Sequence, residues 1–285
     1  MTPTVTVVIP AKNEAEGLAE ILPRIKTAYP EYEIVVVDDG STDETASVAR
    51  AHGARVVSHP LAKGNGAAIK SGARAAKGEI LLFMDADGQH QPEDVGKLLD
   101  FLAEGFDMVV GARTRESQAG VHRAAANRFY NYLASWMVGH SIADLTSGFR
   151  AVRAEKFRRF LYLLPNGFSY PTTITMSFFR AGYSVTYLPI IAQKRIGRSH
   201  IRLLRDGARF ILIIFKIGTL YSPLKLFLPI SFGFFFMALS YYAYTFVTLH
   251  RFTNMSALLF VTSVLVFLIG LVSEQITSLQ FKDSE

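Results

Sequence analysis

Apolar runs alternate with helix-periodic segments over the first 190 residues. Runs rich in β-branched residues occur at TVTVVIP, EIVVVDD, ARVVSH, EILLFMD, DMVVGAR and YSVTYLPI. Four helical patterns separate the first five runs: GLAEILPRIKTA, TDETASVARAHG, GAAIKSGARAAKG and PEDVGKLLDFLAEG. This alternation predicts an α/β domain with a mainly parallel sheet. Ser41 with Glu44 predicts a capping box for the second helix, and Pro92 predicts the start of the fourth.

The last 60 residues have a different pattern. No Asp, Glu, Lys or Arg occurs between Lys225 and Arg251, or between Arg251 and Glu274, so two stretches of 25 and 22 residues are uncharged. Each exceeds the roughly 20 residues that a helix needs to cross a bilayer. A pair of buried core helices is the alternative, but neither stretch has a polar face. We therefore expect a transmembrane hairpin over 226–279, with spans at 226–249 and 256–276.

A basic segment precedes this hairpin. Arg202, Arg205 and Arg209 recur at three- and four-residue spacing, with apolar residues between them. This pattern indicates amphipathic helices that lie in the membrane interface over 201–225. A solvated basic helix is the alternative. The remaining boundaries follow, with a catalytic domain over 1–200 and a short tail over 280–285.

Charge is distributed unevenly and agrees with a membrane location. Residues 1–100 carry 10 basic and 15 acidic side chains, whereas residues 101–225 carry 18 basic and 6 acidic ones. A basic block beside a hydrophobic segment indicates anionic lipid or lipid phosphate rather than nucleic acid. The positive-inside rule places the large domain and the tail in the cytoplasm, and the beginning of the chain lacks a signal-peptide pattern. We expect a multi-pass protein of the inner (cytoplasmic) membrane, with a hairpin that could support a homo-oligomer.

Acidic residues follow the apolar strands. The predicted strand ends read PAKNE, DDGSTD and DADGQ, and the carboxyl ends of parallel strands share one edge of the sheet. Asp38, Asp39, Asp85 and Asp87 should therefore converge there, although Asp-x-Asp also occurs in simple turns. Oxygen ligands favour Mg²⁺ or Mn²⁺, which complete their coordination with water and substrate phosphates. Because the chain has no Walker lysine motif or Rossmann glycine fingerprint, a nucleotide-sugar fits better than ATP or NAD. The absence of cysteine excludes thiolate metal sites and cysteine nucleophiles.

These segments together resemble a known family. VVIPAKNE, VVDDGSTD, KGNGAA and MDADGQHQPED are similar to the motifs of family 2 glycosyltransferases of the GT-A fold. DADGQHQPE, GAR at 111–113 and DLTSGFR at 144–150 narrow the resemblance to the polyprenyl-phosphate glycosyltransferases, similar to dolichyl-phosphate mannose synthases. The resemblance covers roughly residues 4–200. It implies metal-dependent, inverting transfer of a hexose from a nucleotide-sugar of the GDP-mannose or UDP-glucose type to undecaprenyl or dolichyl phosphate.

The resemblance also implies roles for matching positions. The donor nucleotide-sugar would be bound by Pro10, Asn13, Glu14, Asp38, Asp39, Lys63 and Asp85. The metal ion, Mg²⁺ or Mn²⁺, would be held by Asp87 and Gln89. The acceptor phosphate would be bound by Arg113, Arg128, Ser147, Arg195 and Ser199. The residues expected to be catalytic are Asp85, Asp87, Arg113, Arg128 and Arg195.

Several points stay open at the level of the sequence. Many relatives carry glutamate where this chain has Thr173, so the resemblance does not define the sugar. Asp144 could be structural or functional, and FYNYLASW at 129–136 is expected to be a packed helix rather than a lipid-facing stripe. A processive polysaccharide synthase is one alternative, but its QxxRW motif is absent, since the single tryptophan lies in LASWM. A non-catalytic membrane scaffold that binds lipid or nucleotide is the other.

Overall fold

The structure is a computed structural model that describes residues 3–114, 121–167, 169–191, 218–219 and 221–282. The chain divides into two compact units. The first unit comprises residues 1–135 with 140–203, and the second comprises residues 136–139 with 204–285. The predicted interfacial segment lies mostly outside the described residues. The predicted domain boundaries stay predictions.

A seven-stranded sheet forms the centre of the first unit, in the order β3-β2-β1-β4-β6-β5-β7. Its strands are β1 (Val5–Ala11), β2 (Glu33–Asp38), β3 (Arg55–Ser58), β4 (Ile80–Phe83), β5 (Met108–Arg113), β6 (Arg150–Arg153) and β7 (Val185–Ile190). Only β6 runs antiparallel to its two neighbours, β4 and β5; the other pairings are parallel. This confirms the predicted α/β class with a mainly parallel sheet.

Strand β6 was not predicted, although it lies inside the sheet. Its sequence, RAVR, has only two apolar residues between two arginines, so it shows no β-rich run. Ala151 and Val152 are nevertheless fully buried, and β6 bridges β4 and β5. Because β6 is antiparallel, its beginning lies at the edge where the neighbouring strands end. The last residue of the DLTSGFR motif, Arg150, is thereby brought to that edge.

Helices connect the strands of the first unit along the chain. They are α1 (Ala15–Ala28), α2 (Thr45–Ala51), α3 (Asn65–Ala75), α4 (Glu93–Ala103), α5 (Val121–Val138), α6 (Ala154–Arg158) and α7 (Tyr170–Arg180). Helix α1 buries Leu18, Ile21, Leu22 and Ile25, whose three- and four-residue spacing forms one face. Pro92 directly precedes α4, and two acidic residues occupy its first turn, as predicted.

The predicted capping box of α2 is wrong. The helix begins at Thr45, so Glu44 occupies the N-cap position, where its side chain makes no capping hydrogen bond. Ser41 lies three residues earlier, and its Oγ accepts a hydrogen bond from the backbone N–H of Asn13 at 3.0 Å. A hydrogen bond between two loops thus takes the place of the local capping bond that the spacing of Ser41 and Glu44 predicted.

Helix α5 is only partly packed. Tyr130 and Ala134 are buried, whereas Phe129, Tyr132 and Trp136 are 57%, 71% and 42% exposed. The exposed aromatic side chains follow a spacing of three and four residues, which places them on one helix face. The expectation of a packed helix therefore holds for one face of α5 and is wrong for the other.

The second unit contains an antiparallel helical hairpin, α8 (Pro223–Leu249) and α9 (Asn254–Lys282). Ser231 and Ser263 exchange hydrogen bonds between hydroxyl and backbone carbonyl at 2.9 Å, and the N–H of Leu224 donates to Glu274 near the hairpin base. Both helices are long and apolar enough to cross a membrane, with mean hydropathies of 1.6 and 2.6. Large apolar side chains are exposed along both helices, unlike those of a core helix in a soluble protein.

Candidate active site

The carboxyl ends of β1, β2, β4 and β5 meet the beginning of β6 at one edge of the sheet. The predicted donor residues lie near the ends of β1 and β2 or directly after them, except for Lys63, which follows β3, and Asp85, which follows β4 in the DADGQ segment. Arg113 ends β5. The convergence predicted from the strand ends is therefore present, and the DLTSGFR motif joins it through β6. Open α/β sheets bind ligands at this kind of edge.

The loops after β1 and β2 are tied together by Asn13. Its backbone adopts a left-handed conformation, with φ at 55°, and its Oδ1 accepts a hydrogen bond from the N–H of Thr42 at 2.8 Å. Asp38 is buried, and its Oδ1 accepts from the N–H of Ser41 at 2.9 Å. Pro10 and Glu14 flank this junction on β1 and before α1. Four of the predicted donor residues therefore belong to one pair of linked loops.

Asp39 holds the loop that contains Lys63. Its two carboxylate oxygens accept hydrogen bonds from the N–H groups of Lys63 and Gly64, both at 2.8 Å. His59 Nδ1 contacts Asp39 Oδ1 at 2.7 Å, and His59 Nε2 contacts Ser71 Oγ at 2.8 Å. Burial alone would raise the pKa of Asp39, but these hydrogen bonds lower it below its ordinary value. Sequence reasoning missed His59, because nothing local links it to an aspartate 20 positions away.

The DADGQH segment forms a tight loop after β4. Gly88 has a positive φ of 73°, and Asp87 Oδ1 accepts a hydrogen bond from the N–H of Gln89 at 3.2 Å. His90 is buried and stacks on Phe149, with 4.8 Å between ring centroids. Burial lowers the pKa of His90 to about 4, although the charge of Asp87 opposes this shift. A neutral His90 can accept the hydrogen bond that the N–H of Asp85 donates to its Nδ1 at 3.3 Å.

The four aspartates do not surround one cation. The described residues contain no group of three or more His, Cys, Asp or Glu side chains that could hold a metal ion. Asp38 and Asp39 instead accept hydrogen bonds from the backbone of the loops around them. Asp87 and Gln89 supply a carboxylate and an amide oxygen two positions apart on one loop. Such a sparse set of oxygen donors fits Mg²⁺ or Mn²⁺, which take further ligands from a bound diphosphate.

Arg113 is held by Asp144, a residue whose role, structural or functional, the sequence did not decide. Arg113 Nε and Nη2 donate to the two carboxylate oxygens of Asp144 at 2.8 and 3.0 Å, and Nη2 also contacts Thr146 Oγ1. Burial opposes the charge on Arg113, but Asp144 and the charges of Asp85 and Asp87 raise its pKa. Asp144 therefore has a structural role, and Arg113 lies within electrostatic reach of the DADGQ loop.

The remaining predicted residues differ in their surroundings. Ser147 is buried, and its Oγ has no hydrogen-bond partner among the described residues. Arg128 is exposed on α5, whereas Arg195 and Ser199 lie outside the described residues. Thr173 is buried in α7, where its Oγ1 donates to the carbonyl of Ser169. The structure thus brings Asp85, Asp87, Gln89 and Arg113 together and leaves the other acceptor roles as predictions.

Comparison with known proteins identifies the families that this chain resembles. The family model Glycosyl transferase family 2 matches residues 6–161, and the model GtrB C-terminal hairpin matches residues 222–279. The chain is 33% identical to polyprenol monophosphomannose synthase of Mycolicibacterium smegmatis, over 66% of this chain and 77% of that protein. It is 36% identical to undecaprenyl-phosphate 4-deoxy-4-formamido-L-arabinose transferase of Edwardsiella ictaluri, over 55% of this chain but only 51% of that protein.

Solved structures share the fold of the first unit. Glucosyl-3-phosphoglycerate synthase from Mycobacterium tuberculosis, in complex with Mn²⁺ and UDP-glucose, superposes with a TM-score of 0.60 at 25% identity. The match covers 76% of this chain and 79% of that one. The α/β domain is therefore of the GT-A type, as the motifs predicted. With the family model covering more than half of its length, the chain belongs to glycosyl transferase family 2 and is a glycosyltransferase.

Proposed function

We propose that this protein transfers a hexose from a nucleotide-sugar, of the GDP-mannose or UDP-glucose type, to a polyprenyl phosphate. The observation that supports this most directly is the position of Arg113. Arg113 ends β5 beside the loop that carries Asp85 and Asp87. Its guanidinium is the kind of group that binds phosphate through charge-assisted hydrogen bonds. Relatives that are named as polyprenol monophosphomannose synthase and undecaprenyl-phosphate transferase support the lipid acceptor.

On the donor side, Asp87 and Gln89 would hold Mg²⁺ or Mn²⁺ at the diphosphate. The bound ion would neutralise charge on the departing diphosphate as a Lewis acid. Asn13, Asp38 and the Asp39–Lys63 loop would surround the nucleoside, because the hydrogen bonds described above already order these loops. Asp85 would face the sugar.

The reaction needs no dedicated base. An oxygen of the lipid phosphate forms a bond to the anomeric carbon, while the bond from that carbon to the nucleoside diphosphate breaks and the diphosphate keeps the electron pair. A phosphate monoester is largely ionised at pH 7, since its second pKa is about 6. No proton therefore has to be removed from the attacking oxygen. Attack in line with the leaving group predicts inversion at the anomeric carbon.

The acceptor would reach the site from the membrane. The hairpin would anchor the chain in the inner membrane with both ends in the cytoplasm, and Arg113, Arg128, Ser147, Arg195 and Ser199 would bind the phosphate. Arg113 uses Nε and Nη2 for Asp144 and Thr146, so the phosphate would approach from its Nη1 side. Homo-oligomer formation through the hairpin stays a prediction.

The two alternatives have less support. A processive synthase would need the QxxRW motif, which this sequence lacks, and a path for the polymer that a two-helix hairpin does not offer. A non-catalytic scaffold would have no need for the carboxylate loop and the neighbouring arginine.

The test is a transfer assay with the full-length protein in detergent. UDP-glucose, GDP-mannose and related donors are each offered with undecaprenyl phosphate and Mn²⁺ or Mg²⁺, and the lipid product is measured. We expect one donor to be used, and Asp87→Asn to lower the rate at least about a hundredfold by removing a charged ligand. Asp100→Asn, an exposed position on α4, is the control. Absence of transfer from every donor, or wild-type rates for Asp87→Asn, would contradict the proposal.

A further inference from the structure

The carboxylate of Asp85 lies directly against Gly148. A Cβ atom added to Gly148 would be 2.9 and 3.2 Å from the two carboxylate oxygens of Asp85, and the carboxylate carbon is the third nearest atom at 3.3 Å. The first distance is shorter than real Cβ contacts allow, so the carboxylate occupies space that only glycine leaves open. The backbone of Gly148 does not have a positive φ, which means that conformation is not the reason for glycine at this position.

Two buried donors clamp the peptide groups on either side of Gly148. Arg150 Nη2 donates to the carbonyl of Ser147, and Tyr170 Oη donates to the carbonyl of Gly148 at 3.1 Å. Arg150 and Tyr170 are 0% and 2% exposed, so water does not compete for these bonds.

The next residue, Phe149, supports the backbone amide of Asp85 through His90. Phe149 stacks on His90, and His90 Nδ1 accepts the N–H of Asp85. Consecutive residues of the DLTSGFR motif therefore contact Asp85 at its side chain and, through His90, at its amide. The segment acts as one support for a single carboxylate.

Burying the charged side chain of Arg150 costs free energy. Its hydrogen bonds go to the carbonyls of Ser147 and Pro171, to Thr175 Oγ1 and, at 3.8 Å, to Met108 Sδ, and among the described residues it forms no salt bridge. A buried guanidinium without a paired carboxylate costs free energy that its fold must offset. The charges of Asp85 and Asp144 act on it from a longer range.

We propose that Arg150 and Tyr170 are positioning residues, which hold the Ser147–Gly148 backbone as a seat for the carboxylate of Asp85. The seat fixes the direction in which Asp85 faces the donor sugar. This inference rests on the proposed function in so far as Asp85 faces the donor. It assigns Arg150, Tyr170 and Gly148 a part in the reaction that they play through Asp85.

The test compares Gly148→Ala and Tyr170→Phe in the full-length protein. Gly148→Ala adds only a methyl group against Asp85, and Tyr170→Phe removes only the hydroxyl. We expect kcat to fall at least tenfold in both, with the KM for undecaprenyl phosphate near wild type and with each variant still fully folded at the assay temperature. Tyr183→Phe is the matched control. This substitution also removes a tyrosine hydroxyl, which accepts a hydrogen bond from Arg159, but Tyr183 lies just before the start of β7, at the opposite edge of the sheet.

Donor binding gives a second measurement that does not need turnover. Calorimetry with UDP-glucose and GDP-mannose in the presence of Mn²⁺ should show weaker binding for Gly148→Ala than for wild type. That difference should disappear in an Asp85→Ala background, since the methyl group then has no carboxylate to displace. If wild type binds a donor but transfers nothing, the proposed function fails while this coupling still tests the inference.

Four outcomes would overturn the inference. The first is a kcat within twofold of wild type for Gly148→Ala or for Tyr170→Phe. The second is a loss of activity that merely follows a loss of thermal stability. The third is an equal effect of Gly148→Ala with and without Asp85. The fourth is that the wild-type protein binds no donor. Tyr170→Phe keeps the inference testable even if Gly148→Ala does not fold.

Discussion

At the scale of single residues, the site depends on partners that hold the reactive groups. Asp144 orients Arg113 through two hydrogen bonds, His90 holds the amide of Asp85, and Asp39 orders the Lys63 loop. Each of these partners is buried. Burial strengthens such bonds, and it also makes the loss of one partner costly.

Replacing Asp144 should therefore destabilise the protein. Asp144→Asn removes the negative charge opposite Arg113, and we expect a loss of about 2 kcal/mol, typical of hydrogen bonds to charged groups. The melting temperature at pH 7 should fall by several degrees. Asp94→Asn, which breaks an exposed pair with Lys97, should leave the melting temperature unchanged.

The pH dependence of stability checks the same pair. Burial raises the pKa of Asp144, but the hydrogen bonds and charge of Arg113 outweigh it and lower the pKa in the folded state. The stabilisation is therefore complete above the unfolded pKa of about 3.9 and is lost as the pH falls through the lower folded pKa. Thermal melts of Asp144→Asn should lack this acid-dependent component. An identical acid profile for the variant and wild type would contradict the assignment.

At the scale of elements, small residues let the hairpin helices approach closely. Ser231 and Ser263 bond across the two helices, and Gly270 of α9 lies beside Phe227 of α8. A Cβ on Gly270 would be only 2.7 Å from the Cβ of Phe227. Helices in membranes commonly associate through small residues and side-chain hydrogen bonds of this kind.

Gly270→Ala should therefore loosen the hairpin. The added methyl group forces the helices apart, and overpacking of this kind typically costs about 1–3 kcal/mol. Gly233→Ala is the control, because a Cβ on this other hairpin glycine meets no atom within 4 Å. The aggregation temperature in detergent should fall for Gly270→Ala and stay at the wild-type value for Gly233→Ala. Equal values for the two variants would show that the contact is unimportant.

At the scale of the whole molecule, charge and hydropathy together predict an orientation. The basic residues concentrate before Lys225, while the turn after α8 holds a single arginine. Positive loops stay in the cytoplasm, so the turn should face the periplasm. The active-site edge would then share a compartment with nucleotide-sugars.

Cysteine labelling tests this orientation without background, since the natural chain has no cysteine. Thr253→Cys, in the turn, should react with a membrane-impermeant maleimide in intact cells. Glu104→Cys, on the catalytic domain, should react only after the cells are lysed. The reverse pattern would invert the topology, and labelling of both positions in intact cells would contradict a membrane-crossing hairpin.

The sequence by itself determined the features that depend on local periodicity and on turn chemistry. Alternating strands and helices predicted the α/β domain. Two uncharged stretches, each long enough for a helix to cross a bilayer, predicted the two apolar helices. The acidic strand ends predicted the active-site edge, because parallel strands end on the same side. These features each depend on residues close together in the chain.

Only the tertiary structure decided which groups support which others. Strand β6 has too few apolar residues to show a period, and its place in the sheet depends on pairing with strands about 40 and 70 positions earlier. Asp39 with His59 and Gly148 with Asp85 likewise join residues that no spacing relates. The four aspartates share a place at strand ends in the sequence, yet Asp38 and Asp87 accept hydrogen bonds from their own loops, whereas Asp39 accepts them from the Lys63 loop. These partners are decided by hydrogen bonds that form only after folding.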